Sequence, residues 1–268
     1  MTSCMSCFST RTRSLSPKGP QRTISSICST QEPANEFSDA VSEKPKDSDI
    51  FVSRLECFRT YSHYDQADFI LESYSTCHQG VELSYIPRNG SKPIIARGRL
   101  KFNPPAHPID FVEISNQLLD PLKRHEWDVD FQDMKIFEKI QLSQNETLIR
   151  AYACFKGKLG FQGRDFFWDI YVKITDTELI HVTVSSNEEE TLSSRFVRGR
   201  TWLGGLSIRR TNDGDIEMVL INQTDVTSGD KSSSNRFIPD WIIDSVMKKS
   251  PLKLVAIKKF ILDITSSC

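Results

Sequence analysis

No apolar run in this 268-residue chain approaches the ~18 residues of a membrane-spanning helix, and the amino terminus lacks the continuous apolar segment of a secretory signal. The expectation is a soluble, intracellular protein, in which the sequons at Asn145 and Asn222 have no consequence. An excess of one charge is also missing. Thirty-four basic against 35 acidic residues leave a formal net charge of -1, which gives no whole-chain footprint for nucleic acid. Cysteine is present without pattern: seven residues, at 4, 7, 28, 57, 77, 154 and 268, of which only Cys4 and Cys7 lie close together. That spacing implies no disulfide framework, and no second Cys or His pair follows to complete a zinc site, so neither metal nor cofactor is expected.

What is present divides into a tail and one domain. Residues 1–31 hold Arg11, Arg13, Lys18 and Arg22, no acid, and many Ser and Thr. This composition admits a mitochondrial transit peptide, although Pro17 and Pro20 interrupt an amphipathic helix; a plain disordered tail and acylation at Cys4 and Cys7 are the other readings. From Glu32 to Asp49 the sign flips, with acids predominating over Lys44 and Lys46, the pattern of a linker. The tail and linker are therefore placed at 1–50 and the folded domain at 51–268. The 38 % hydrophobic content supplies a real core.

Within the domain, Ala67, Ile70, Leu71 and Tyr74 are spaced as a helical face over 64–75. Strand-like runs follow at 81–86, 93–101, 133–140, 147–155, 164–174, 178–186, 196–202, 205–211 and 216–225, with Asp176, Gly204 with Gly205, and Asn212-Asp213-Gly214 as turn punctuation. Consecutive hairpins predict an antiparallel sheet. The insertion after the second run reads as two helices, with Ile109, Val112, Leu118 and Leu119 on one side and Pro121 ending the first. The last element starts at Pro239 and carries a stripe of Ile238, Trp241, Ile242 and Val246, and Pro251 kinks or divides it.

Three strings in this order carry a family resemblance: "HEWD" at 125–128, "GRDFFWD" opening the run at 164–174, and "FIPDWIIDSVMKK" leading into the final helix. Over residues 55–265 the chain resembles the START (StAR-related lipid-transfer) domain family. The resemblance implies an α+β helix-grip fold, a curved nine-stranded antiparallel sheet wrapped around a long C-terminal helix and enclosing an apolar tunnel for a single lipid, either phospholipid or sterol. It also implies that Phe166, Trp168 and Ile170 on the fifth strand, with Val182, Leu220, Trp241, Ile242 and Val246, line that tunnel. Where several family members pair an acid with an arginine, this chain has Tyr152 and Ile170. Arg150 and Tyr152 share strand parity and are the candidates to meet a phosphate or hydroxyl. Arg164 and Asp165 read as a scaffold ion pair.

The function expected is a monomeric cytoplasmic carrier that touches membranes transiently, with no enzymatic activity. The final helix and the loop at 175–177 form its door, and Lys248, Lys249, Lys253, Lys258 and Lys259 face anionic headgroups. The stretch "EFSDAVS", starting at Glu36, resembles the FFAT motif read by VAP-type endoplasmic-reticulum receptors, with Phe37, Asp39 and Ala40 in place but Ser38 and Ser42 departing from it. The alternative is an enzyme of the wider helix-grip superfamily, cyclase- or hydrolase-like, using the same cavity. Strand alternation counts against it, pointing Ile180, Val182 and Val184 inward and His181 outward, with no Ser or Cys near a His at interpretable spacing. Cys154 reads as a small buried apolar residue.

Overall fold

The computed structural model describes residues 47–63, 69–71, 80–90, 92–105, 107–157, 161–186, 195–226 and 239–266. The tail features, including Cys4, Cys7 and the FFAT-like stretch, lie outside the described residues, as does Ile238. The described elements run α1 (Asp47–His63), β1 (Ile70–Leu71), β2 (Glu82–Ile86), β3 (Ile95–Phe102), α2 (Phe111–Leu119), α3 (Pro121–Trp127), β4 (Phe131–Ser143), β5 (Glu146–Phe155), β6 (Arg164–Ile174) and β7 (Glu178–Ser185). They continue with β8 (Val197–Arg198), β9 (Arg200–Arg210), β10 (Ile216–Asp225), α4 (Asp240–Lys249), a 3-10 turn (Ser250–Leu252) and α5 (Lys253–Ser266).

Nine strands form an antiparallel path in the order β1-β2-β3-β10-β9-β7-β6-β5-β4, and the two-residue β8 pairs parallel to β6. The runs expected at 196–202 and 205–211 are one strand, with β8 before it. Gly204 and Gly205 are not a turn: they sit inside β9, where a side chain at 205 would strike the Phe58 ring of α1. The expected turn at 212–214 is present, with Gly214 at φ 87°.

The helix expected over 64–75 is not there, since Ile70 and Leu71 pair with β2. The first helix comes earlier. Phe51, Leu55, Phe58 and Ser62 recur at helical spacing and are buried on the outer face of the sheet, where Phe51 meets Tyr171 with ring centroids 5.2 Å apart. The same face buries Arg97 completely, its guanidinium donating to Ser84 Oγ and the Tyr61 carbonyl and stacking on Phe69. Cys57 of α1 is engaged in a disulfide, which the cysteine spacing did not announce, whereas Cys154 is free.

The inner face of the sheet carries the main core. Phe166, Trp168, Ile170 and Val172 of β6 pack there with Leu206 and Ile208 of β9, Ile216 and Met218 of β10, and Leu254, Ile257, Phe260 and Ile261 of α5. Each such side chain contributes roughly 1.5–3 kcal/mol when fully buried. Asp110 caps α2 through the Val112 and Glu113 amides, and Asp120 caps α3 with Pro121 in its first turn, so Pro121 opens a helix as well as closing one. The buried side of α2 is Phe111, Ile114, Ser115 and Leu118; Val112, expected inside, is exposed. Pro251 divides the C-terminal helix as expected, and the break presses on Gly98 of β3, where a Cβ would lie 2.7 Å from the Pro251 Cβ.

Candidate functional site

The structure puts Phe166, Trp168 and Ile170 on the inner face, with Leu220 packed half-buried against the same cluster. Trp168 Nε1 donates to Thr201 Oγ1 at 3.0 Å, which satisfies the indole. The other expected site residues lie elsewhere. Arg150 is on the outer face, paired with Glu138 at 2.9 Å and Asp169 at 3.4 Å. Tyr152 joins Cys154, Phe167 and Phe196 in a separate outer cluster, and its hydroxyl, whose pKa burial and Asp165 push up, is hydrogen-bonded to Asp165. The reason is register: Ile149 pairs with Ile170 and Tyr152 with Phe167, so odd positions of β5 share a face with even positions of β6.

Register also reverses β7. Val172 pairs with His181 and Tyr171 with Val182, which turns His181 inward and Val182 outward toward α1, together with Ile180 and Val184. On α4 the buried residues are Ile243 and Met247, packed with Ile94 and Val226. Trp241 is 72 % exposed, Val246 49 % exposed and Ile242 only half-buried, so these three do not line the interior. Asp165 pairs with Arg198 at 3.1 and 3.2 Å and not with Arg164, which donates to the carbonyls of Val226 and Gln162.

A polar cluster that sequence reading missed sits on the inner side. Arg124 of α3 is 13 % exposed at its side chain and ringed by Trp127, Phe131, Phe155 and Trp168, with centroids 5.1 to 5.7 Å from its guanidinium carbon. Its nearest counter-charge is Asp128 at 3.8 Å, but that carboxylate, 1 % exposed, is held at 2.7 Å by Lys253 from the start of α5. Arg124 Nε and Trp127 Nε1 are both buried without a hydrogen-bond partner. Burial pulls the Arg124 pKa down, and Asp128 offsets that only in part. The string "HEWD" pointed at this spot without its arginine.

Beside it, Ser115 Oγ and His181 Nε2 lie 2.9 Å apart, both buried. This is the Ser-His proximity that sequence reading did not find. Burial, with the Arg124 charge added, lowers the His181 pKa to about 4. A general base must become cationic as it takes a proton, and here desolvation and a neighbouring guanidinium both oppose that. The pair is therefore a poor nucleophile-base couple and a good neutral hydrogen-bonding unit.

The sign for stability follows from a depressed base. Between pH 6.5 and about 4 the unfolded chain takes a proton that the folded imidazole refuses, so stability falls as pH falls through that window, by ~3 kcal/mol in total. His181→Gln should keep the hydrogen bond to Ser115 and remove this slope. Denaturation midpoints of both proteins at pH 7 and pH 4.5 measure it; an equal slope in the variant would show that His181 is not the proton-excluding group.

Fold and interior together define a helix-grip domain with an apolar interior and one polar corner. Residues 105–259 match the START domain family, and the chain belongs to that family. Among solved structures it is similar to human STARD10, with 14% identity, 86% of this chain and 85% of that one covered, and a TM-score of 0.62. It is likewise similar to human StAR-related lipid transfer protein 5, with 15% identity, 82% and 96% coverage and a TM-score of 0.61. The human StarD13 lipid transfer and protein localization domain aligns at 16% identity over 77% of this chain and 95% of that one, with a TM-score of 0.53. These likenesses establish the shared fold. No curated protein matches the chain in sequence. Among the described residues no helix is long and apolar enough to cross a membrane, and no group of three or more metal-ligating side chains gathers.

Proposed function

We propose that the chain is an intracellular carrier that holds one lipid, phospholipid or sterol, in a tunnel between the sheet's inner face and the C-terminal helix and moves it between membranes. Membership of the START domain family supports this reading. The observation that carries it is the inner face itself, where Phe166, Trp168, Ile170 and Leu220 offer apolar contact while Arg124 Nε and Trp127 Nε1 wait without acceptors at one end. An acyl chain gains ~0.8 kcal/mol for each methylene it buries, and the waiting donors give its head a place.

Uptake needs a door, and α4 suits that role. It is held by a small apolar cluster and by Arg88, which reaches Asp244 at 2.8 Å and Asp240 at 3.6 Å, and the break at Pro251 separates it from α5. Trp241 and Val246, exposed on its outer side beside Lys249, form a surface that enters the headgroup layer. Two of the lysines expected to meet headgroups are engaged elsewhere, Lys248 over the Tyr85 ring and Lys258 over Phe102, and a third, Lys253, holds Asp128. An FFAT-type address at Phe37 and a mitochondrial address in residues 1–31 remain alternative routings of a monomeric carrier. The helix-grip enzyme reading draws on the Ser115-His181 proximity, and the low basicity of that imidazole disfavours it.

Transfer of a fluorescent lipid from donor to acceptor vesicles tests the reading. The protein should accelerate it, and Arg88→Ala should accelerate it further while costing ~1–3 kcal/mol of stability, the usual worth of a part-buried charge-assisted hydrogen bond. No acceleration by either protein would refute the carrier; equal rates would show that α4 is not the door.

A further inference from the structure

The break between α4 and α5 is tied to the sheet by hydrogen bonds as well as by packing. Ser250, which closes α4 and gives its amide to the Met247 carbonyl, accepts a hydrogen bond from Asn222 Nδ2 at 3.0 Å. Asn222 Oδ1 accepts in turn from Thr224 Oγ1 at 2.6 Å, and the hydroxyl oxygens of Thr224 and Thr201 lie 3.5 Å apart. Thr201 Oγ1 receives the Trp168 indole proton. A hydroxyl has one proton to give, and the short contact commits that of Thr224 to Asn222, so Thr201 is the donor between the two threonines. Every donor then points the same way, from the indole to the hinge, an arrangement in which each bond polarises the next.

This chain of bonds depends on a bulge. Leu206 and Ile208 of β9 face the interior, so simple alternation would send Thr201 to the outer face. The register shift opposite Gln223 and Thr224 inserts Trp202 as an extra residue and turns Thr201 inward, opposite Thr224 and within reach of Trp168. Ser185 Oγ holds the Thr201 amide there at 2.8 Å. Both threonines are buried, so water competes little for their bonds.

Resting on the carrier and the α4 door of the reading above, we propose that the chain Trp168, Thr201, Thr224, Asn222, Ser250 couples cargo in the interior to closure of the hinge. The Trp168 ring belongs to the interior wall, stacked on Phe166 with centroids 5.3 Å apart. A lipid packed against that wall keeps the indole from turning and its N–H on Thr201, and the bonds beyond hold Ser250 to the sheet. When the lipid leaves, the indole gains freedom, the chain slackens and α4 lifts more readily. The two states are α4 seated and α4 lifted, and lipid binding and closure favour each other by the same factor.

Hydrogen exchange over residues 248–253 of the full chain measures the hinge, first in buffer and then after incubation with phosphatidylcholine vesicles containing cholesterol and phosphatidic acid. Native mass spectrometry counts the bound lipid in each sample. In buffer, Ser250→Ala and Thr224→Val should each speed exchange at the hinge by about fivefold, the worth of one hydrogen bond. The double variant should go no faster than either single one, because both cut the same chain. Thr224→Ser keeps the hydroxyl and should exchange like the parent. With vesicles, bound lipid should slow hinge exchange in the parent by about fivefold. Trp168→Phe keeps an aromatic wall without the indole donor, so it should still bind lipid but lose most of that slowing. Cooperative melts verify folding, and Trp168→Phe tests the coupling independently of Thr224→Val. Effects that multiply in the double variant, or a slowing by lipid that survives Trp168→Phe, overturn the coupling and leave the carrier standing. No lipid bound to the parent overturns both.

Discussion

Replacing Asp128 by alanine is expected to lower the unfolding free energy by about 3–5 kcal/mol, the usual consequence of removing one partner from a buried ion pair. The carboxylate is 1 % exposed and is the short-range counter-charge for Lys253 as well as the distant one for Arg124. Without it two cations share the aromatic corner, Arg124 with no counter-charge and Lys253, 33 % exposed, left to water. A chain of this size should lose roughly 10 °C in melting temperature. The double variant Asp128→Asn, Lys253→Gln removes a cation with the anion and should recover much of the loss. A single variant that melts within a degree or two of the parent would show that the corner is solvated and the cluster electrostatically idle.

Gly205→Val should be of similar size for a steric reason. In β9 this residue pairs with Val182 on one side and Ile221 on the other, so the backbone has no room to retreat. A Cβ there would stand 2.5 and 2.6 Å from atoms of the Phe58 ring and 2.7 Å from the His181 carbonyl oxygen. Phe58 is completely buried, and the ring must leave for the branched side chain to fit. Overpacking of this kind costs ~1–3 kcal/mol, and lifting α1 adds the burial of Phe51 and Leu55, so a total of at least ~3 kcal/mol is expected. Hydrogen exchange should show α1 losing protection before the sheet does. Full protection of α1 in the variant would mean that β9 does not present residue 205 to the helix.

Much of the architecture was legible because long strands write a clear period. β6 is apolar on both faces over eleven residues, and its inner residues Phe166, Trp168 and Ile170 share one parity and were expected there from the family resemblance. Parity within a strand does not say which parity faces inward, and that is fixed by pairing. A shift of one residue between neighbours moved Tyr152 and Val182 to the outer face and brought His181 inside. On α4 the apolar residues cover more than one side, and Ile243 with Met247, not Trp241 with Val246, turned to the sheet. Arg124, and the role of Lys253 as the partner of Asp128 in place of the headgroup contact expected of it, were missed for a different reason. Charged residues on helices usually face water, and only the three-dimensional meeting of α3, α5 and the ring of Trp168 reveals that Arg124 is buried among rings and that Lys253 holds Asp128.

Whether this domain encloses a lipid is decided by native mass spectrometry of the full chain isolated from its own cells. One non-covalent adduct per chain is expected, with a defined lipid mass that appears in the low-mass spectrum when the protein is denatured. A spectrum at the bare polypeptide mass, unchanged after the same protein is incubated with vesicles, would contradict it.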